Sequence, residues 1–242
     1  MARRPKGCFA AFRWRGQKAR ATALVASIGV FATVAHAQDF ITTTGILSDT
    51  DFYRLVACGA APSGPCSKPI LRWSTDRPLR VSLVKVDRAF LGGKQKRARA
   101  AIARAVQYLN AASFGLRLAV GSPGTAGEIN VYLINTDGSS PISGTGVDGL
   151  DGSTVTGARV LVWADPATGY IDRASVIFGT RMPMRQYESA MLEEITQALG
   201  LLTDIRNPHY DGVSVFSQDS NAAKTLGPQD IMSLRRHYAK GD

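Results

Sequence analysis

The spacing of apolar positions changes along the chain, and the changes predict the order of its elements. Leu79–Val86 (LRVSLVKV) alternates apolar and polar residues at period two, the pattern of a half-buried strand. From Lys94 to Ala112 the spacing becomes helical, with Ala98, Ala101, Ile102, Ala105, Tyr108, Leu109 and Ala112 on one stripe. Leu116–Val120 and Glu128–Ile134 read as strands. Ala158–Ala164 and Ile171–Phe178 read as two more, joined by Asp165-Pro-Ala-Thr-Gly169, whose residues suit a hairpin turn. A second helix is expected from about Met184 to Leu201, after Pro183. The last begins at Pro228 with Asp230 in its first turn, and carries Ile231, Leu234 and Tyr238 on one side. Upstream, residues 38–57 are mostly polar until Phe52, Tyr53, Leu55 and Val56, which suit a short helix or an extended segment. The whole predicts one α+β domain: a mixed sheet of about four to five strands, a long helix, a second helix and a C-terminal helix.

The start of the chain follows other rules. Arg3, Arg4, Lys6, Arg13, Arg15, Lys18 and Arg20 precede an uncharged run, Ala21–Ala35, which ends in Ala35-His36-Ala37. A basic region, about 15 apolar residues and an Ala-x-Ala site make residues 1–37 a secretory signal peptide, cleaved between Ala37 and Gln38. The run is short for a membrane span, which needs about 20 residues. No other segment approaches that length, so no span is expected after cleavage, and the protein is expected in the periplasm or outside the cell.

Charge and cysteine content change meaning once this segment is set aside. The full chain has 242 residues and a formal charge of +10. Residues 1–37 hold seven of its 29 basic residues and none of its 19 acidic ones, which leaves +3 for the remainder. That removes the main argument for a nucleic-acid partner. The basic run Lys94, Lys96, Arg97, Arg99 and Arg104 lies on one amphipathic helix, without interleaved aromatics to stack bases, and reads as a solvated face. Cys8 leaves with the signal. Cys58 and Cys66, separated by a Gly/Pro turn, read as a disulfide worth about 2 kcal/mol in an exported protein. They tie residues 38–75 into a lead-in to the main domain, residues 76–242.

Residues 137–157 are rich in Gly, Ser, Thr and Asp and predict a long loop, for which a lid over a cleft is one use. Gly144-Thr-Gly146-Val-Asp-Gly149 within it matches a dinucleotide fingerprint on paper. It lacks the preceding strand and following helix that the chemistry needs. Asp148 and Asp151 offer carboxylates to a calcium ion without the spacing of a helix-flanked calcium loop.

The segment Leu192-Glu193-Glu194-Ile195-Thr196-Gln197-Ala198-Leu199-Gly200 carries the most chemistry. Glu193 and Gln197, four apart, share a helix face, with Met191, Ile195 and Ala198 roughly opposite. On spacing alone, Glu193, Glu194 and Gln197 suit a solvated polar stripe. In zinc peptidases, H-E-x-x-H uses the same geometry: two His bind Zn²⁺ and the Glu is base for the metal-bound water. Here Glu193 and Gln197 stand at the His positions, Glu194 at the base, Gly200 at the glycine of the extended motif and Thr203 at the third ligand, followed by Asp204. Asp211-Gly-Val-Ser-Val-Phe216 is similar to the turn that follows in metzincins, with Phe216 where Met usually stands. The chain therefore resembles a zincin whose zinc ligands have been replaced. The combination of Cys58 and Cys66, Trp73, the Glu193–Gly200 helix, Ser214-Val-Phe216 and Asp230, Leu234 and Tyr238 resembles one family of exported bacterial proteins. These carry the uncharacterised domain numbered 2927. The resemblance implies a zincin-like fold for residues 76–242 and supplies no activity.

A carboxamide is a poor zinc ligand, and the processed chain has only His209 and His237, neither on the motif helix. The expectation is a monomeric, exported, zincin-like domain with no cofactor and a degenerate metal site. It would bind an extended peptide or an envelope protein by strand addition in its cleft. The alternative is a divergent metal-dependent hydrolase, with Glu194 as general base and Glu193, Asp204 and His209 around a divalent cation.

Overall fold

The structure, a computed structural model, describes residues 33–37, 39–74, 76–147 and 149–239, with side chains from residue 40 onward. Most of the expected export signal, Cys8, Gln38 at the cleavage junction and Asp148 lie outside the described residues. The chain runs β1 (Thr33–Ala37), β2 (Asp39–Thr42), α1 (Asp49–Cys58), β3 (Leu79–Val86), α2 (Gly93–Ala111), β4 (Leu118–Val120), β5 (Ile129–Leu133), β6 (Ala158–Ala164), β7 (Ile171–Phe178), α3 (Tyr187–Gln197), β8 (Thr203–Arg206) and α4 (Pro228–His237). It is a mixed α/β structure, as the spacing predicts. Among the described residues no helix is long and apolar enough to cross a membrane.

The main sheet has the order β1-β6-β7-β5-β3-β4. β4, β3, β5 and β7 run parallel, and β6 returns antiparallel to β7 through the expected hairpin. These are the expected five strands. A sixth, β1, pairs antiparallel along the outer edge of β6, from Thr33 opposite Ala164 to Ala37 opposite Val160. β2 pairs with β8 in a separate two-stranded parallel sheet.

β5 is buried along its whole length because both faces of the sheet are covered. On one face Val131, Val160, Val162 and Val176 pack with Ile102 and Leu109 of α2 and Met191 and Ile195 of α3. On the other, Tyr132, Leu161, Trp163 and Ile177 are covered by Ile142, Leu150 and Val155 of the Gly-rich loop. That loop is therefore a second cover for the sheet and not a lid over the helix-side cleft. Its Asp151 accepts backbone N–H bonds from Thr145 (3.0 Å) and Gly146 (3.3 Å), so this carboxylate closes the loop upon itself.

The disulfide between Cys58 and Cys66 forms as expected. Phe52, Tyr53, Leu55 and Val56 lie in the helix α1, and the strand β2 precedes it. Ser48 caps it by accepting the Asp51 N–H, and Gly59 ends it in the left-handed conformation. Phe52, Leu55 and Val56 are fully buried and join the same core as the sheet, so the lead-in is part of the main packing. The basic side of α2 is mostly exposed, with Arg97 and Arg104 reaching Glu188 of α3 at 3.8 and 3.7 Å.

The end of α3 is held from three sides. The Trp73 indole N–H donates to the Ala198 carbonyl (2.8 Å), and the Tyr238 hydroxyl donates to the Leu199 carbonyl (2.7 Å). Gly200 then turns the chain at φ 99°, where a Cβ would run into the Leu71 carbonyl oxygen. That carbonyl in turn accepts from Nε2 of buried His237 (2.8 Å), and the Tyr53 hydroxyl faces His237 Nδ1 at 3.4 Å. The helix accordingly stops at Gln197, short of the expected Leu201. Replacing Gly200 by Ala combines a disfavoured backbone with a clash against main chain, and is expected to lower unfolding free energy by roughly 2–3 kcal/mol. Urea titration followed by circular dichroism measures it; a loss below about 0.5 kcal/mol would show that the turn is not constrained as described.

Candidate functional site

α3 turns Ala190, Glu193, Glu194 and Gln197 toward a cavity of about 390 Å³, and β8 supplies Asp204 on its far side. The spacing i, i+3, i+4, i+7 places the four helix residues on one flank. The two glutamates are adjacent in sequence and diverge by about 100° on a helix, yet both border this space. The solvated-stripe expectation fails: Glu194 is 6% exposed, Gln197 2% and Asp204 7%. Glu193 is half-buried at the mouth.

Gln197 Nε2 donates to Asp204 Oδ1 at 2.6 Å. Glu194 Oε2 and Gln218 Oε1 are buried without a hydrogen-bond partner. Burial raises the pKa of all three carboxyl groups, since removal from water disfavours the charged form. Asp204 adds like-charge repulsion to Glu193 and Glu194, and Glu194 adds to Glu193. Asp204 itself is pushed up to about 7 by burial, against the opposing Gln197 bond and the charge of Lys68. Arg159 similarly opposes the rise at Glu194.

Glu193, Glu194, Gln197 and Asp204 thus border one cavity. The other candidates do not join them. Thr203, at the overlaid third-ligand position, is 1% exposed and faces away from the cavity, where its hydroxyl accepts from Lys68 Nζ at 3.4 Å. Strand alternation gives the cavity to Asp204 instead. His209, a proposed metal ligand, is exposed in the turn after β8, its ring edge-on to Tyr210. Gly200 shapes the helix end. Phe216 is fully buried, with its ring 6.1 Å from that of Phe52. The turn before Phe216 is held by Asp230, which accepts from the Ser214 hydroxyl (2.6 Å) and from Val215 N–H (3.0 Å). Among the described residues no group of three or more His, Cys, Asp or Glu side chains is arranged to hold a metal ion. With Gln197 engaged by Asp204 and neither His at the cavity, the donor set does not fit a three-ligand zinc centre.

Of the cavity residues that escaped the sequence reading, Phe40 and Gln218 matter most. Phe40 of β2 lines the mouth, with the Arg206 guanidinium 3.7 Å from its ring centre, and Gln218 lines the wall. Both arrive through long-range pairing, which local spacing does not reveal.

Comparison with known proteins places the chain in a family. The profile of the family described as "Protein of unknown function (DUF2927)" matches residues 49–241, and the chain belongs to that family. No curated protein matches it.

The charge arrangement has a thermodynamic consequence. A carboxyl group whose folded pKa is raised binds its proton more tightly in the folded state, so its ionisation destabilises the fold as pH rises. For Asp204 the window runs from its ordinary 3.8 up to about 7. Buried His237 acts in the opposite sense. Desolvation lowers its pKa from 6.5 to about 4, so the stability of its neutral form is complete above 6.5 and lost on acidification toward 4. Thermal stability is expected to be higher at about pH 6 than at about pH 8. Asp204→Asn, which keeps an acceptor for Gln197, should flatten that difference. Calorimetric melts at both pH values measure it; equal slopes for the two proteins would remove Asp204 as its cause.

Proposed function

We propose that this member of the DUF2927 family is an exported, zincin-like protein that captures an extended peptide by adding it as a strand to the edge of β6, above the acidic cavity. The observation that carries the reading is the pairing of β1 on that edge. Five residues of the chain's own N-terminal part occupy β6 antiparallel, ending with Ala37 opposite Val160. Ala158, two residues from Val160 along β6, lines the cavity. The chain then resumes as β2, with Asp39 opposite Thr203 and Phe40 opposite Asp204. Residues 33–37 thus run along the edge and residues 39–42 past the carboxyl groups, the path an extended ligand would take.

Export gives this arrangement its use. Cleavage after Ala37 removes β1 and leaves the N–H and C=O groups of the β6 edge unpaired, while β2 stays with Phe40 beside the cavity. The resemblance of the α3 sequence to a zincin motif favours the same site: an antiparallel edge strand beside the helix, with E-E-x-x-Q where zinc ligands would stand. Glu194, at the general-base position, gives the hydrolase alternative its one candidate and belongs in the same test.

The test uses the protein recovered after export from cells expressing the full chain. Mass spectrometry should find it beginning at Gln38. A fluorescent peptide of sequence FATVAHA, residues 31–37, should bind it with micromolar affinity, and a proline at the position of Ala35 should abolish binding by removing a ladder N–H. An uncleaved N-terminus overturns the export reading, and absence of peptide binding overturns strand capture. Chelator-sensitive cleavage of casein, lost in Glu194→Gln, would replace this reading with the hydrolase.

A further inference from the structure

The cavity is lined by three carboxyl groups, Glu193, Glu194 and Asp204, and by the amides of Gln197, Gln218 and Asn221. Ionised, the carboxyl groups only accept hydrogen bonds. Glu194 Oε2 and Gln218 Oε1 are buried and have no partner. The amide N–H of Gln197 is directed at Asp204. The two cations whose fields reach these carboxyl groups stand outside the cavity lining. Lys68 donates to Thr203 Oγ1 (3.4 Å), and Arg159 donates to the Thr154 carbonyl (3.4 Å). Arg159 pairs with Ile177, whose side chain belongs to the opposite face of the sheet. Neither Lys68 nor Arg159 lines the cavity. A buried acceptor left unmatched costs free energy, and any guest with a suitable donor would relieve that cost. The three carboxyl groups around the cavity, held back from ionising by burial and mutual repulsion, favour a cation in addition. A group that brings several N–H donors and a positive charge would answer both.

We infer that the cavity is a specificity pocket for a basic side chain, Lys or Arg, carried by the extended peptide that pairs with β6. This deepens the proposed peptide capture and rests on it. The register gives the position. Ala37 lies opposite Val160, so in a continuous antiparallel ladder the second residue after it lies opposite Ala158, which lines the cavity. Phe40 and Met182, also lining it, offer apolar surface to the methylene stem of such a side chain. Glu194, Gln218 and Asp204 receive its head. In the intact chain that second position is Asp39, which leaves β6 to pair with β8, so the chain's own segment brings no basic side chain here.

Two peptides test the inference on the exported protein: FATVAHA-Gly-Lys-amide and the same peptide with norleucine in place of Lys. Norleucine keeps the stem and removes the charge and donors. The Lys peptide is expected to bind roughly ten- to a hundredfold more tightly. Glu194→Gln should reduce that ratio to within about threefold, and Asp204→Asn should reduce it in parallel, so the result does not depend on one variant folding. Equal affinities of the two peptides for the unmodified protein overturn the basic-side-chain pocket and leave strand capture standing. Failure of both peptides to bind overturns strand capture itself. A ratio that persists in both variants places the charge recognition elsewhere and also overturns the inference.

Discussion

The carbonyl groups at the end of α3 are the constraint on which the site depends. A helix leaves its last carbonyls without intrahelical partners, and burying them without others would be costly. Here an indole and a phenol supply the donors: Trp73 from the segment after the disulfide, and Tyr238 from the end of the chain. The helix can neither rotate nor slide without losing both bonds. That fixes which side faces the core, with Met191 and Ile195 fully buried, and which side faces the cavity, with Glu193, Glu194 and Gln197. The same clamp joins distant parts of the chain, because Trp73, Gly200, His237 and Tyr238 meet around Leu71. Several residues that mark the family resemblance are thus explained by the support of the helix and not by contact with a ligand.

Against that rigid background the acidic cavity is an expensive feature. Each of its three carboxyl groups resists ionisation because of burial, and the repulsion among them adds to the cost. Apolar residues of similar size on this flank would give a more stable helix packing. The Gln197–Asp204 bond relieves one of the acids and leaves Glu194 Oε2 unpaired. Perturbed carboxyl groups lining a cavity, with a polar atom kept waiting for a donor, mark a place organised for recognition or chemistry.

The sequence made the elements of the main domain legible because they obey local rules. Period-two alternation found β3, helical spacing found α2, and Pro183, Pro228 and the turn after Ala164 marked boundaries. The E-E-x-x-Q helix also declared its geometry, since positions four apart on a helix must share a face. What the sequence could not show was burial. Glu194 and Gln197 look solvent-facing by composition, and only the arrival of β8 and β2 encloses them. Thr203 and Asp204 illustrate the same limit: a motif overlay chose Thr203, and strand alternation turned its neighbour toward the cavity instead. The Gly-rich loop misled in another way. Its apolar residues, Ile142, Leu150 and Val155, are too few and too widely spaced to show a period, yet they cover one face of the sheet.

The N-terminal segment brings the two halves of this picture together. An antiparallel strand edge left open invites pairing with any extended chain, and proteins ordinarily blunt or cover such edges. β6 is covered here by residues that read, by composition, as the end of an export signal. Covering and address then reside in one segment, and one cleavage would separate them. The edge would stay paired while the chain is intact and open once processing is complete. β2 belongs to the other side of that junction. Its pairing with β8 places Phe40 at the cavity without help from β1, so on the proposed processing the acidic pocket would keep this wall while the strand site beside it changed occupancy. A pocket next to an edge that exchanged its strand would meet the physical requirement for reading a peptide: backbone pairing supplies affinity, and the pocket supplies selection among side chains.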